Sequence, residues 1–298
     1  MNINRDNSSL IVSNKLQNGE IFITKKEVEK EMVNYLGFLK GKKVYIPNTK
    51  TTFVIAQYDA FVSYFATRSM MNKFCIKELS YSYYDEFNQF VLITITENEI
   101  RKEVIDNYDD SKLFLVCKQI DKVDVVICNP EGNNANDLFK YIYLSHKEFI
   151  LSINKNFFST KISNRALKEN LIKFGYNSPE MFFDVNHNEV QKRGDMMWIT
   201  SFDNGYIPSL LETFYDINSY DYPKYDNFNA IDVKCIKMIP MGYTGVFGVP
   251  VTVLPRLNMS QFEIIGLDRY VDDNPNGKRF TINGKELFAR ILIRFRNI

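Results

Sequence analysis

The decapeptide VDVVICNPEG, Val123 to Gly132, decides how the chain is read. Its apolar core, VVIC, is short and rich in β-branched residues, which favours a strand over a helix. No polar residue interrupts the run, so the strand has no wet face and belongs in a sheet covered on both sides. Asn129 and Pro130 end it, because proline brings no N–H to a ladder and holds the residue before it extended. The next residues, EGNNAND, are polar; LFKYIYLSHK then has helical spacing and EFILSIN reads as another strand. Strand, loop, helix, strand is the crossover unit of a parallel sheet, and ligands of such sheets sit beyond the carboxyl ends of the strands. Chemistry is therefore expected in the loop from Asn129 to Asp137.

Upstream, KKEVEKEMVNYLGFLK (Lys25 to Lys40) sets Val28, Met32, Tyr35, Leu36 and Leu39 on one stripe of a helix that Gly41 ends. KKVYIPN reads as a buried strand, FVIAQYDAFVSYFATRSMM from Phe53 as an aromatic-rich helix, and FCIKELSYSYY and FVLITITE as strands. After a polar turn, NYDDSK, the run LFLVC is also read as a strand. This alternation predicts an α/β core over residues 1–177. Residues 178–298 are dense in Gly, Pro, Tyr and Asn between short strands, and predict a β-rich region packed on or completing that core. RFTINGKELFARILIRF is read as a closing hairpin turning at Asn283-Gly284, a pair that tolerates the positive φ angles of a tight turn.

Composition excludes several classes. With 45% apolar and 24% charged residues the chain has the make-up of a folded protein, and no apolar run is long enough to span a bilayer. MNINRDNSSL has no apolar signal core, so the expectation is a cytoplasmic protein starting near Met1, with no membrane partner. Lys and Arg total 37 against 36 acidic residues, so no whole-chain field draws nucleic acid, although a local basic face is compatible with that balance. Cys75, Cys117, Cys128 and Cys235 form no CxxC and the chain has two His, which predicts structural thiols and no metal site. His146 and His187 lack a nucleophilic neighbour in sequence and are read as surface residues. The 18 Tyr and 24 Phe are expected to fill a core or an interface rather than a base-stacking groove.

A strand ending in Asn-Pro resembles the signature of amino-methyltransferases, in which Asp, Asn or Ser is followed by Pro-Pro and an aromatic residue. An exocyclic amine has its lone pair drawn into the ring. The Asn side chain and a proline carbonyl must accept its hydrogens while nitrogen turns tetrahedral toward the methyl donor, and the aromatic ring stacks on a base taken out of the duplex. The C-terminal half adds a longer likeness. YPKYDNFNAIDV, IPMGYTGVFGVPVTVLPRLNMSQFEIIGL and INGKELFARILIR, with the rare strings Tyr225-Asp226-Asn227 and Gly245 to Pro250, resemble EcoRI-type adenine-specific DNA methyltransferases. Trp198-Ile199-Thr200 resembles that family's Trp-hydrophobic-Thr strand, and Val123 to Pro130 its catalytic strand. The resemblance implies a Rossmann-like methyltransferase sheet, S-adenosylmethionine and adenine N6 chemistry.

The chain departs from the family at its reactive parts. Glu131 and Gly132 stand where the second proline and the aromatic ring belong. EIFIT keeps only Phe22 and Thr24 of the family's Asp-Glu-Phe-Tyr-Thr, and Asn48, Thr49 and Lys50 offer no carboxylate to a donor's ribose. The family's Gly-Asp-Phe-Arg stretch has no match between Glu97 and Asp110. The resulting expectation is a pseudoenzyme with Asn129 and Pro130 as a remnant motif and no cofactor. It would act by binding DNA or a protein such as a restriction or defence nuclease, in the manner of a phage anti-restriction inhibitor, with self-assembly into a homo-oligomer as a weaker reading. The alternative is an active S-adenosylmethionine-dependent adenine-N6 DNA methyltransferase in which another aromatic residue, such as Phe139, supplies the stack.

Overall fold

The computed structural model describes residues 22–47, 59–85, 87, 89–105, 112–130, 134–184, 188–191, 196–212, 215–218, 220–271, 274 and 277–296. Two compact units divide the chain. One holds the described residues up to Ile153 together with Gly175–Asn204, and the other holds Asn154–Phe174 and the described residues from Gly205 onward.

In chain order the elements are β1 (Phe22–Ile23), α1 (Lys25–Met32), β2 (Lys43–Pro47), α2 (Ala60–Phe65), α3 (Arg68–Lys73), β3 (Glu78–Tyr84), β4 (Phe90–Thr96) and β5 (Ile100–Ile105). They continue with α4 (Lys112–Ile120), β6 (Val125–Cys128), α5 (Asn134–Leu144), β7 (Glu148–Asn154), α6 (Lys161–Lys168), β8 (Lys173–Phe174), β9 (Met181–Phe183), β10 (Glu189–Gln191) and β11 (Met196–Thr200). The last group is β12 (Ile231–Asp232), β13 (Phe247–Pro250), β14 (Phe262–Leu267), β15 (Thr281–Ile282), β16 (Lys285–Glu286) and β17 (Arg290–Phe295).

The first unit is built on a mixed sheet in the order β5-β4-β3-β2-β6-β7-β11. Its centre is parallel: β2 pairs with β3 and β6, and β6 with β7. That is the arrangement the crossover reading of Val123 to Asn154 requires. The β3-β4-β5 side is an antiparallel meander. Val44, Ile46, Val125, Ile127, Ile150 and Trp198 share one core with residues of α1, α2 and α3, so those helices cover one face. Alternate residues of β2 and β3 point the other way. There the Tyr45 and Ser82 hydroxyls meet at 2.5 Å, and Gln119 of α4 donates to Ser80 Oγ at 3.3 Å.

Helix ends follow their capping residues. Thr24 Oγ1 accepts from Glu27 N, Asp59 from the amides of Phe61 and Val62, and Thr67 from Met70 N. The Lys25 stripe holds only to Met32 as an α-helix, then tightens to a 3-10 turn over Val33–Tyr35 before Gly41 takes φ +71°. The single helix read from Phe53 is two short ones in its described part, broken where Ala66 and Thr67 leave helical geometry. LFLVC is not a strand but the heart of α4. Val116, Cys117 and Ile120 are buried while Phe114 is half exposed, the three- and four-residue spacing of one helix face. A five-residue apolar run fits either period, and tertiary packing chose the longer one. NYDDSK lies almost wholly outside the described residues.

Glu31 pins α1 to the loop that precedes β9. Its carboxylate is fully buried and accepts from Tyr35 Oη (2.9 Å), Tyr176 N (3.0 Å), Asn177 N (2.9 Å) and Asn177 Nδ2 (3.0 Å). Burial holds its pKa above the usual carboxylate range, against the opposing pull of the four donors. Gly175 is required beside it, since a Cβ there would lie 2.3 Å from Glu31 Oε1 and 2.5 Å from Trp198 Cβ.

In the second unit β12 pairs parallel with β13, and β17 lies antiparallel between β13 and β14. The Asn283-Gly284 turn forms as read, with φ of 51° and 72°, but the hairpin it closes is only two residues deep on each side. Leu287 to Phe288 lead the chain out of it, and β17 pairs elsewhere. Asp232, 3% exposed, takes Arg290 Nε at 2.7 Å and Tyr225 Oη at 2.8 Å.

Two stability measurements test these anchors. Glu31→Ala strands two backbone amides and the Tyr35 hydroxyl and should lower unfolding free energy by about 3 kcal/mol in urea titration. Asp232→Ala leaves a buried guanidinium without a counter-charge and should cost about 3 to 4 kcal/mol, whereas Arg294→Ala, from an exposed pair with Glu263, should cost under ~1 kcal/mol.

Candidate functional site

β6 is buried at every position and delivers Asn129 and Pro130, also buried, to the carboxyl edge of the sheet. Asn129 is 7% exposed, and its Oδ1 has no hydrogen-bond partner among the described residues. A buried carbonyl oxygen left empty costs about 1–3 kcal/mol, so such an atom suits a ligand that brings a donor. Asn129 thus presents a buried acceptor that none of the described residues occupies.

Around it the sheet is ordered. The carbonyl of Phe149 accepts from Ser201 N at 3.1 Å and from Thr200 Oγ1 at 2.8 Å, and Phe149 N donates to Ser201 Oγ at 2.9 Å. These bonds place the end of β11 against the start of β7, so β11 lies antiparallel to β7 and its start, not its end, is toward the carboxyl edge. Trp198, two residues before Thr200, is 1% exposed, with its indole Nε1 also unpartnered among the described residues. Phe61 packs edge-on against it at 5.8 Å, held at the start of α2 by the Asp59 cap. Thr200, the other end of the Trp-hydrophobic-Thr string, is spent on backbone: it donates to Phe149 O and accepts from Phe202 N.

Several sequence candidates are placed elsewhere. Phe139 is fully buried in α5, stacked near Tyr143 and edge-on to Phe149, so its ring belongs to the packing against β7 and is not free to stack on a base. Phe22 pairs with Phe183 in the β1-β9-β10 sheet, and the Thr24 hydroxyl caps α1. Both are architectural. Burial first, and then the charge of Asp59, raise the Cys128 thiol well above its usual range, and burial and Asp121 push Cys117 up to about 11; both stay protonated and unreactive at neutral pH. His146 is exposed at the end of α5 with φ 52°. Glu131, Gly132, Asn48, Thr49, Lys50 and His187 lie outside the described residues. Among the described residues no cluster of His, Cys, Asp or Glu could hold a metal ion, and no helix is long and apolar enough to cross a membrane.

The rare strings of the C-terminal half are structural in the second unit. Asp226 accepts from Asn283 N and Gly284 N, which lowers its pKa, and Asn227 bridges Arg279 O and Thr281 N. Gly248 leaves room for the Tyr225 hydroxyl, which would stand 2.0 Å from an added Cβ. Beside them opens a surface cavity of about 810 Å³ walled by Phe228, Tyr243 and Val246, with Lys224 and Asn229 at its rim. The sequence reading did not identify this cavity, since only folding brings Tyr243 up to the 224–231 segment.

Comparison with known proteins agrees with the geometry. Residues 115–296, more than half of the chain, match the family described as adenine-specific methyltransferase EcoRI. The type II methyltransferase M.EcoRI of Escherichia coli is 32% identical over 194 residues, 58% of this chain and 58% of that protein's length. M.MgeORF184P of Mycoplasma genitalium is 25% identical over 318 aligned positions, covering 95% of this chain and 98% of the relative; M.MpnI of Mycoplasma pneumoniae is 23% identical over 95% and 96%. No solved structure matches. With Asn-Pro at the end of a buried parallel strand and the matched region running from α4 to the end of β17, the chain belongs to the EcoRI-type adenine-specific methyltransferase family.

Proposed function

We propose that the chain transfers a methyl group from S-adenosylmethionine to the N6 amine of adenine in DNA, with the chemistry in the first unit and a Rossmann-like role for its parallel strands. The observation that carries this reading is the empty, buried Asn129 acceptor, followed at once by Pro130. Asn129 Oδ1 and the Pro130 carbonyl accept the two amine hydrogens. That draws the nitrogen out of conjugation and stabilises the positive charge that develops on it. The bound donor would supply an electrophilic methyl group, and the amine gives up one proton in exchange, so the products are the thioether, N6-methyladenine and H⁺. The base must leave the duplex for this, because the amine is otherwise paired. The donor's contacts belong after β2, where residues 48–58 lie outside the described residues, and no side chain is assigned to them.

The relatives, all named as methyltransferases, support transfer over the binding-only reading. That second reading, an inhibitor of a defence nuclease or a DNA-binding pseudoenzyme, rests on Glu131 and Gly132 in place of proline and an aromatic ring. Sequencing that detects modified bases in DNA from cells expressing the chain separates the two. Adenine methylation at one sequence context is expected, and its absence together with no calorimetric heat from S-adenosylmethionine would favour the pseudoenzyme.

Asn129→Ala should reduce methylation by roughly 100- to 1000-fold. Its urea midpoint should not fall, because Asn129 Oδ1 has no hydrogen-bond partner among the described residues for the substitution to remove. Loss of stability with retained activity would refute the role given to Asn129.

A further inference from the structure

A hydroxyl without a partner stands next to Asn129. Ser152 of β7 is 0% exposed, and its Oγ has no hydrogen-bond partner among the described residues. Cys128 and Leu151 are partners in the β6-β7 ladder, so Asn129 and Ser152 are the next positions on neighbouring parallel strands, about 4.8 Å apart. Matched positions of a parallel pair direct their side chains to the same face. Two residues back, Ile127 and Ile150 belong to the core cluster under α1–α3, which identifies that face for both.

Other buried hydroxyls of this sheet have partners: those of Tyr45 and Ser82 bond each other. Ser80 donates to Val44 O and Thr200 to Phe149 O. Ser152 makes no such bond, although it lies in a strand that is otherwise apolar from Phe149 to Ile153. Burying a lone hydroxyl among Ile, Leu and Phe is unfavourable unless something completes it.

We propose that Ser152 is a specificity-determining residue that donates its hydroxyl hydrogen to N1 of the adenine whose N6 amine Asn129 holds; this rests on the reading of Asn129 above. On adenine the amine and N1 are adjacent, one a donor and the other an acceptor. Asn129 Oδ1 and Ser152 Oγ present the complementary order, acceptor beside donor. Hypoxanthine and guanine carry the reverse pattern on that edge, an oxygen beside an N–H, and would meet like against like.

The test is binding of adenosine to the full chain, followed by ligand-detected NMR in saturating S-adenosylhomocysteine so that a cofactor site is not the one read. Wild-type protein should bind 1-deazaadenosine, which lacks the ring acceptor, about tenfold more weakly than adenosine, the effect of one buried hydrogen bond. Removal of N7 instead, in 7-deazaadenosine, should change little. Ser152→Ala should bind adenosine about tenfold more weakly and no longer distinguish it from 1-deazaadenosine, with an unchanged or raised Tm because no hydrogen bond is lost in the free protein. Ser152→Ala that still prefers adenosine overturns the role of Ser152. The Asn129 reading survives that outcome if Asn129→Ala abolishes binding. Equal adenosine binding by Asn129→Ala and wild type, or no saturable binding by wild type, overturns both. A Tm drop in Ser152→Ala with nucleoside preference intact identifies a structural hydroxyl and also overturns it.

Discussion

The in-register parallel ladder of β2, β6 and β7 is the constraint on which the rest of the first unit depends. Val44–Ile46, Val125–Cys128 and Phe149–Ile153 bury nearly every side chain, so their backbone polar groups have no water to bond and must bond each other. Once Val125 is opposite both Val44 and Glu148, every later position is set. Asn129 then falls where the ladder stops and the sheet's carboxyl edge begins. A slip of one residue would turn Asn129 to the α4–α5 side and push Cys128 toward the α1–α3 side.

Carboxylates do the joining around that ladder. Glu31 gathers backbone and side-chain donors from a loop about 145 residues away in sequence, Asp59 starts α2, Asp226 brackets a tight turn and Asp232 holds Arg290 and Tyr225. Each is an acceptor that gathers backbone or guanidinium N–H groups, buried at Glu31 and Asp232 and exposed at Asp226. Strings such as Tyr225-Asp226-Asn227, which carry much of the family likeness, make such joins within the second unit. They specify the second unit's architecture.

The contrast between spent and unspent polar atoms bears on stability. Thr24, Thr200, Asp226 and Asn227 are matched to hydrogen-bond partners, and their removal would be felt as lost stability. Asn129 Oδ1, Ser152 Oγ and Trp198 Nε1 are buried without hydrogen-bond partners among the described residues, which costs stability rather than adding to it.

Much of the scaffold is legible along the chain because it depends on local rules. The β-branched run before Asn-Pro, the helical stripe from Lys25, the strand EFILSIN and the positive-φ pair Asn283-Gly284 need only period, proline and turn chemistry. What folding alone decided involves partners distant in sequence. LFLVC became a helix because Val116, Cys117 and Ile120 found a sheet to cover, and β17 left its hairpin for β13 and β14. Ser152 gained meaning only when the ladder set it beside Asn129. A sequence states which side chains can donate or accept; whether a given one is answered depends on register and burial, and those are properties of the packed sheet.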